Sequence, residues 1–162
     1  MSAQDGPAAP LAVELQIPAI PAYLSLARLV VIAAAALGPA LAEDRLDGLR
    51  LAVSEACANA IKAHQSIGSN APVTIRCDLS GPGVAVEVTD TGGGFDLRRL
   101  AAAMPTASDA AALLGEGGLG IPLMRTLMDR AEFRSSESGT AVRLEVWPPT
   151  STPTAPEARQ ST

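Results

Sequence analysis

The period of the hydrophobic pattern changes along this chain, and the order of these changes most constrains its fold. Residues 11–17 alternate, with Val13, Leu15 and Ile17 between polar neighbours, as in a half-buried strand. From Glu43 to His64, apolar side chains recur at helical spacing instead, which predicts an amphipathic helix. The apolar face of this helix consists of Leu46, Leu49, Val53, Ala56 and Ala60.

Proline and glycine separate the other elements. These elements are a helix at 21–37, strands at 73–79 and 84–90, a helix at 119–129, and strands at 131–136 and 140–147. The order predicts an α+β fold, a two-layer sandwich with helices packed on one face of a mixed, mostly antiparallel sheet. We expect a flexible tail at 1–10, a folded domain at 11–147 and a disordered, Pro/Ser/Thr-rich tail at 148–162.

Composition fits one folded domain and excludes some functions. Of the 162 residues, 48% are hydrophobic and 18% are charged, which is typical of a globular protein. Only 2% are aromatic, so the core must consist of aliphatic side chains. The net charge of -5 and the absence of a basic stripe argue against a nucleic-acid partner bound through phosphate neutralisation.

Neither a membrane span nor a metal-binding cysteine motif is evident. The longest uncharged stretch, Leu29–Ala42, is too short to span a bilayer and contains Gly38-Pro39. The N-terminus has no signal-peptide pattern, so we expect a soluble, cytoplasmic protein. Cys57 and Cys77 lack a second cysteine or a histidine at ligand spacing, and we interpret both as buried free thiols.

Glu55 and Asn59 lie four residues apart, and therefore on one face of the predicted helix. A carboxylate and a carboxamide together suit a hard cation such as Mg²⁺. The carboxylate can alternatively accept a proton from an attacking hydroxyl or water. A solvated pair without function is the more common explanation for two polar residues on one helix face, and it stays open here.

Two glycine-rich segments follow in the chain. The segment DTGGGF, residues 90–95, comes directly after a strand, where its glycines permit positive φ and Asp90 can accept a hydrogen bond from an exocyclic amine. A plain turn is an equal alternative. The segment GEGGLG, residues 115–120, precedes a helix and so offers backbone N–H groups to an anion. It is neither a Walker loop nor a dinucleotide fingerprint.

Taken together, these segments resemble the ATP-binding domain shared by gyrase, the heat-shock chaperones, histidine kinases and MutL. The matching stretches are EACANAI (55–61), DTGGGF (90–95), GEGGLGIPLMRTLMD (115–129) and GT (139–140). The short chain and the GLGIPLMRTLMD stretch most resemble bacterial anti-sigma factors that are serine/threonine protein kinases. The resemblance covers residues 11–147.

The resemblance implies a role for each matching residue. Asn59 would hold Mg²⁺ against the phosphates of ATP, and Glu55 would be the catalytic base for a serine or threonine hydroxyl. Asp90 would bind the adenine amino group with help from Thr140. The glycine-rich segments would contribute Gly92 and Gly94 at the base pocket, and Gly118, Leu119 and Gly120 at the phosphates. A connector at 96–114 would cover the nucleotide, and Arg98, Arg99 or Arg125 would contact phosphate or a partner's acidic group.

The implied protein binds a sigma factor and phosphorylates a Ser/Thr of an antagonist protein, and the resemblance alone implies a homodimer. One alternative is a nucleotide-binding or partner-sequestering module without kinase activity, and a weaker one is an ATPase without a protein substrate. His64 departs from the family pattern. Members often carry a histidine four residues after the asparagine, whereas His64 comes five after Asn59. We interpret it as a structural residue at the helix end.

Overall fold

The computed structural model describes residues 11–94 and 120–149. The predicted tail at 1–10, the connector at 96–114 and all but two residues of the tail at 148–162 lie outside the described residues. The elements are β1 (Ala12–Ile17), a 3₁₀ turn (Pro21–Tyr23), α1 (Leu24–Ala35), α2 (Glu43–Ser66), β2 (Val73–Asp78), β3 (Val84–Asp90), α3 (Gly120–Leu127), β4 (Arg130–Ser136) and β5 (Gly139–Val146).

The five strands form one open sheet in the order β1-β2-β3-β5-β4. All four pairings between described strands are antiparallel. The predicted α+β sandwich is confirmed, although the sheet contains no parallel pair among the described strands where a mixed one was expected. In the β3–β5 pairing, Asp90 lies opposite Thr140, so the ends of these two strands meet.

The core lies between one face of the sheet and the helices. On α2 the buried side chains include Leu49, Val53, Ala56 and Ala60, as the helical period predicted. Alternate residues of the strands face them: Val73, Ile75, Cys77, Val84, Val86, Val88, Val142, Leu144 and Val146. Burying these side chains stabilises the sandwich, and each Val, Leu or Ile among them contributes about 1.5–3 kcal/mol relative to exposure.

Both cysteines are free and buried, as the sequence predicted. Burial, and to a lesser degree the neighbouring Cys77, raises the pKa of Cys57 to about 12. Burial alone raises the pKa of Cys77 to about 11. Because the thiolate is the reactive form, these two side chains behave as small apolar groups of the core.

The opposite face of the sheet is covered by charged side chains of alternating sign. Arg134 pairs with Glu87 at 3.3 Å, and Arg143 with Glu145 at 2.8 Å. The more exposed of the two, Arg134–Glu87, is a surface pair of the kind that contributes little to stability. The two pairs leave no single-sign basic surface among these strands. Within the described ranges, no helix has both the length and the apolar character needed to cross a bilayer.

Trp147 lies at the end of the sheet, next to the β2–β3 turn. Its backbone N–H donates to the Asp129 carboxylate at 2.8 Å, and Asp129 also pairs with Arg45 near the start of α2. Gly83 lies directly beneath this segment. A Cβ on Gly83 would come within 2.3 Å of the Val146 carbonyl oxygen and 2.4 Å of Trp147 Cδ1.

We therefore expect Gly83→Ala to lower the free energy of unfolding by about 1–3 kcal/mol, because the new methyl group overpacks this contact. Gly81→Ala is the matched control, since a Cβ there meets nothing within 4 Å. Urea denaturation of both variants measures the effect. Equal stability of the two variants would contradict the predicted overpacking.

Candidate functional site

One long helix, α2, carries the residue predicted as the catalytic base and the residue predicted to hold Mg²⁺. Glu55 and Asn59 lie one turn apart and are half-buried. Neither side chain makes a hydrogen bond or ion pair with another residue in the part of the chain that the structure describes. Two half-buried acids of the outer sheet face differ in this respect, because Glu87 and Glu145 pair with arginines.

The first residue of α3 lies directly against this pair. A Cβ added to Gly120 would come within 3.1 Å of Asn59 Nδ2 and 3.2 Å of Glu55 Oε2. The absence of a side chain at Gly120 thus lets the start of α3 approach a carboxylate and a carboxamide. Gly118 and Leu119, also predicted at the phosphates, lie outside the described residues.

Asp90 occupies the end of β3 and is only 6% exposed. Its Oδ1 accepts a hydrogen bond from the Gly92 N–H at 2.9 Å. Burial raises the pKa of this carboxyl above its ordinary value, against the opposing effect of the Gly92 hydrogen bond. A carboxylate has about four acceptor positions, so Asp90 retains capacity for an external donor such as an amino group.

Three glycines near Asp90 lie so close to atoms of neighbouring segments that a side chain would not fit. A Cβ on Gly92 would meet Ala63 Cβ at 2.7 Å, which brings the turn after β3 against α2. Gly94 has φ +66°, and a Cβ there would meet the Ser136 carbonyl oxygen at 2.1 Å. Gly139 has φ +136°, and its Cβ would meet the Asp90 carbonyl oxygen at 2.0 Å.

The fourth residue predicted at the base, Thr140, is buried opposite Asp90 in the β3–β5 register. Its Oγ1 lies 3.3 Å from Ser135 Oγ on the neighbouring strand β4. The hydroxyl therefore belongs to a small polar group at the same end of the sheet as Asp90. This location agrees with the predicted position beside a base, and a role in binding stays a prediction.

The two groups of predicted residues lie along the same helix. Gly120 contacts Glu55 and Asn59, while Gly92 contacts Ala63, one turn further along α2. Ala63 follows Asn59 by four residues, which corresponds to a rise of about 6 Å along the helix. A ligand with an anionic end and an amine-bearing ring can therefore extend along α2, with the anionic end at Gly120 and the ring at Asp90.

Sequence reasoning missed two contributors to this geometry and left one open. Gly139 was noted only as part of the GT stretch, and Ala63 was not singled out, although both contact the turn around Asp90. Arg125 was one of three arginines expected near a phosphate or an acidic partner. Its guanidinium lies over the Phe133 ring, 5.4 Å from the centroid, and the other two arginines lie outside the described residues.

No cluster of three or more His, Cys, Asp or Glu side chains able to hold a metal ion occurs within residues 11–94 and 120–149. Mg²⁺ does not need such a cluster, because it commonly keeps several waters and binds one or two protein oxygens together with phosphates. Asn59, which lies against Gly120, offers one carboxamide oxygen of the kind that this mode of binding uses.

Comparison with known proteins places the chain in a family. The family described as "Histidine kinase-like ATPase domain" matches residues 17–146. The chain is 34% identical over 134 residues to "Serine-protein kinase RsbW" of Bacillus subtilis, which covers 82% of both chains. The protein of the same name from Bacillus velezensis is likewise 34% identical over 134 residues, again covering 82% of both chains.

A solved structure has a similar fold. It is the crystal structure of the RsbU and RsbW domains of Rv1364c from Mycobacterium tuberculosis, with a TM-score of 0.59 and 14% sequence identity. The match covers 84% of this chain and 32% of that longer chain. At this identity the similarity concerns the fold alone.

The raised pKa of Asp90 predicts a specific pH dependence. A carboxyl whose pKa is higher in the folded than in the unfolded protein lowers the stability of the fold as the pH rises from the unfolded pKa toward the folded pKa. Relative to wild type, Asp90→Asn should therefore gain stability as the pH rises above about 4, the ordinary pKa of an aspartate carboxyl. Denaturation of both proteins at a series of pH values tests this prediction. The contributions of the other carboxyls cancel in the difference between the two free energies of unfolding. A difference that is constant, or that favours wild type as the pH rises, would contradict it.

Proposed function

We propose that this chain, a member of the histidine kinase-like ATPase domain family, is an ATP-dependent serine/threonine protein kinase of the anti-sigma type. It belongs to this family because the family match spans residues 17–146. Its similarity to serine-protein kinases over most of the chain supports an ATP-binding anti-sigma regulator with serine kinase activity. The observation that carries the proposal is the approach of Gly120 to Glu55 and Asn59.

In the proposed reaction, Glu55 accepts the proton of a serine or threonine hydroxyl on a protein substrate. The deprotonating oxygen forms a bond to the γ-phosphorus of ATP, the bond to the bridging oxygen breaks, and ADP leaves with that electron pair. Such a transfer depends mainly on positioning and on charge neutralisation, so a single base with a phosphate site suffices. The half-buried position of Glu55 supports this role, since a substrate hydroxyl can still reach it.

The phosphates would lie at the N-terminus of α3, beside Gly120. We expect Gly118, Leu119 and Gly120 to contribute backbone N–H groups to this site. Asn59 would hold Mg²⁺ through its carboxamide oxygen, and the metal would neutralise charge on the phosphates. The adenine would lie at the other end of the site. There Asp90, with Gly92, Gly94 and Thr140, would recognise its amino group.

The proposed partners are a sigma factor, which the protein sequesters, and an antagonist protein that carries the phosphorylated Ser/Thr. We further propose that the protein acts in the cytoplasm as a homodimer, without nucleic acid or membrane. The mixed charge of the outer sheet face supports the absence of a nucleic-acid partner. Size-exclusion chromatography with a candidate sigma factor and antagonist tests these assignments.

We expect Glu55→Gln to reduce phosphate transfer by about 10²–10⁴-fold, because the amide cannot accept the hydroxyl proton. Binding of ATP should be retained. Labelled ATP, Mg²⁺ and the candidate antagonist give the transfer rate, and calorimetry gives the affinity. Glu43→Gln is the matched control, since Glu43 is an exposed glutamate at the start of the same helix.

Equal transfer by Glu55→Gln and wild type would contradict the assignment of the base. Tight ATP binding without transfer to any candidate would favour the binding module without kinase activity. Phosphate release without a protein substrate would favour the plain ATPase.

Gly120→Ala tests the phosphate site. A methyl group 3.1–3.2 Å from the Asn59 and Glu55 side chains displaces both, so the Kd for ATP should rise about tenfold, or about 1.4 kcal/mol. In the control Gly48→Ala, the atoms nearest to the new Cβ, from Leu127 and Met128, lie at an ordinary contact distance of 3.7 Å. Calorimetry on both variants measures the Kd for ATP. Equal ATP affinity of Gly120→Ala and wild type would contradict a phosphate site at Gly120.

A further inference from the structure

His64 is the one histidine of the chain and is completely buried near the end of α2. Its Nε2 accepts a hydrogen bond from the Thr91 backbone N–H at 3.1 Å. A ring nitrogen that accepts a hydrogen bond carries no proton, so the ring is neutral with its proton on Nδ1. This contact joins the end of α2 to the residue that directly follows Asp90.

The second ring nitrogen indicates that His64 has a role beyond packing. Nδ1 is buried and has no hydrogen-bond partner among the residues that the structure describes. A buried polar atom without a partner is unfavourable, and native structures keep few of them. A leucine of similar volume would fill the site without that cost. Packing alone therefore does not account for a histidine here, whereas an acceptor for the Thr91 N–H does.

The Thr91 contact is one of three that fix the backbone around Asp90. The Gly92 N–H donates to the Asp90 side chain, and the Gly92 backbone lies against Ala63, the neighbour of His64. Two successive residues after Asp90 are thus held by the last turns of α2. Without the acceptor at His64, the Thr91 amide would lose its partner, and the peptide next to Asp90 would be free to reorient.

We infer that His64 is a positioning residue for base recognition: by accepting the Thr91 N–H it orients Asp90 toward the amino group of adenine. The inference rests on the proposed ATP site. The position of His64 differs from the family pattern, because this histidine stands five and not four residues after Asn59. Its direct consequence is selectivity for an adenine over a guanine nucleotide, since guanine presents a carbonyl oxygen at the position of the adenine amino group.

The test compares His64→Leu, which lacks an acceptor, with His64→Gln, which retains one. In His64→Leu, the Kd and KM for ATP should rise about tenfold while the values for GTP change less, so the preference for ATP falls. The value of kcat at saturating ATP should stay within about twofold of wild type. His64→Gln should restore part of the preference. In combination with Asp90→Asn, the effect of His64→Leu should be less than additive, because both act on the same contact.

A spectroscopic measurement applies even if the leucine variant does not fold. Because the chain has a single histidine, its ¹⁵N imidazole signals need no assignment by mutation. They should show a protonated Nδ1 and an unprotonated Nε2, and the Thr91 amide should exchange slowly with solvent. A protonated Nε2, or a rapidly exchanging Thr91 amide, would overturn the inference.

The nucleotide measurements separate this inference from the proposed function. If wild type binds ATP and His64→Leu weakens ATP and GTP equally, His64 is structural and the inference fails alone. If wild type binds no ATP, the proposed function fails, and the inference fails with it.

Discussion

The site depends on close contact between backbones, which is possible only where side chains are absent. Around α2, glycines bring the start of α3 to Glu55 and Asn59, and bring the turn after β3 to Ala63. Around Asp90, Gly94 and Gly139 lie against carbonyl oxygens at distances that no Cβ allows. The polar residues of the candidate site are thus brought together by glycine-rich segments that have few functional side chains of their own. Their contribution is to let polar side chains on rigid elements come together.

Much of the fold could be predicted because it depends on local periodicity. The helix that carries Glu55 and Asn59 and the strand that ends at Asp90 follow from patterns of apolar side chains that the structure buries as expected. The same patterns place Thr140 at the start of the last strand. The family resemblance then supplied roles that these elements alone could not, and the comparisons support the same family.

What could not be predicted are the contacts between distant segments. A run of glycines indicates a permissive backbone but not which atom lies against it, so the contacts of Gly92 with Ala63 and of Gly94 with Ser136 had no sequence signal. The hydrogen bond between His64 and Thr91 joins residues 27 positions apart. The shifted position of the histidine was visible in the sequence, but its partner was not. The position of Arg125 over Phe133 could not be predicted either, because it depends on how α3 leads into β4.

Trp147 packs on Gly83 at the β2–β3 turn, whereas Asp90 lies at the other end of β3. The length of that strand separates the two by about 20 Å. Because this is the chain's single tryptophan, its intrinsic fluorescence will report the loss of packing when the whole sandwich unfolds. It will be nearly insensitive to an occupant at Asp90. An optical signal for nucleotide occupancy therefore requires a fluorophore on the ligand itself or an introduced probe near the end of α2.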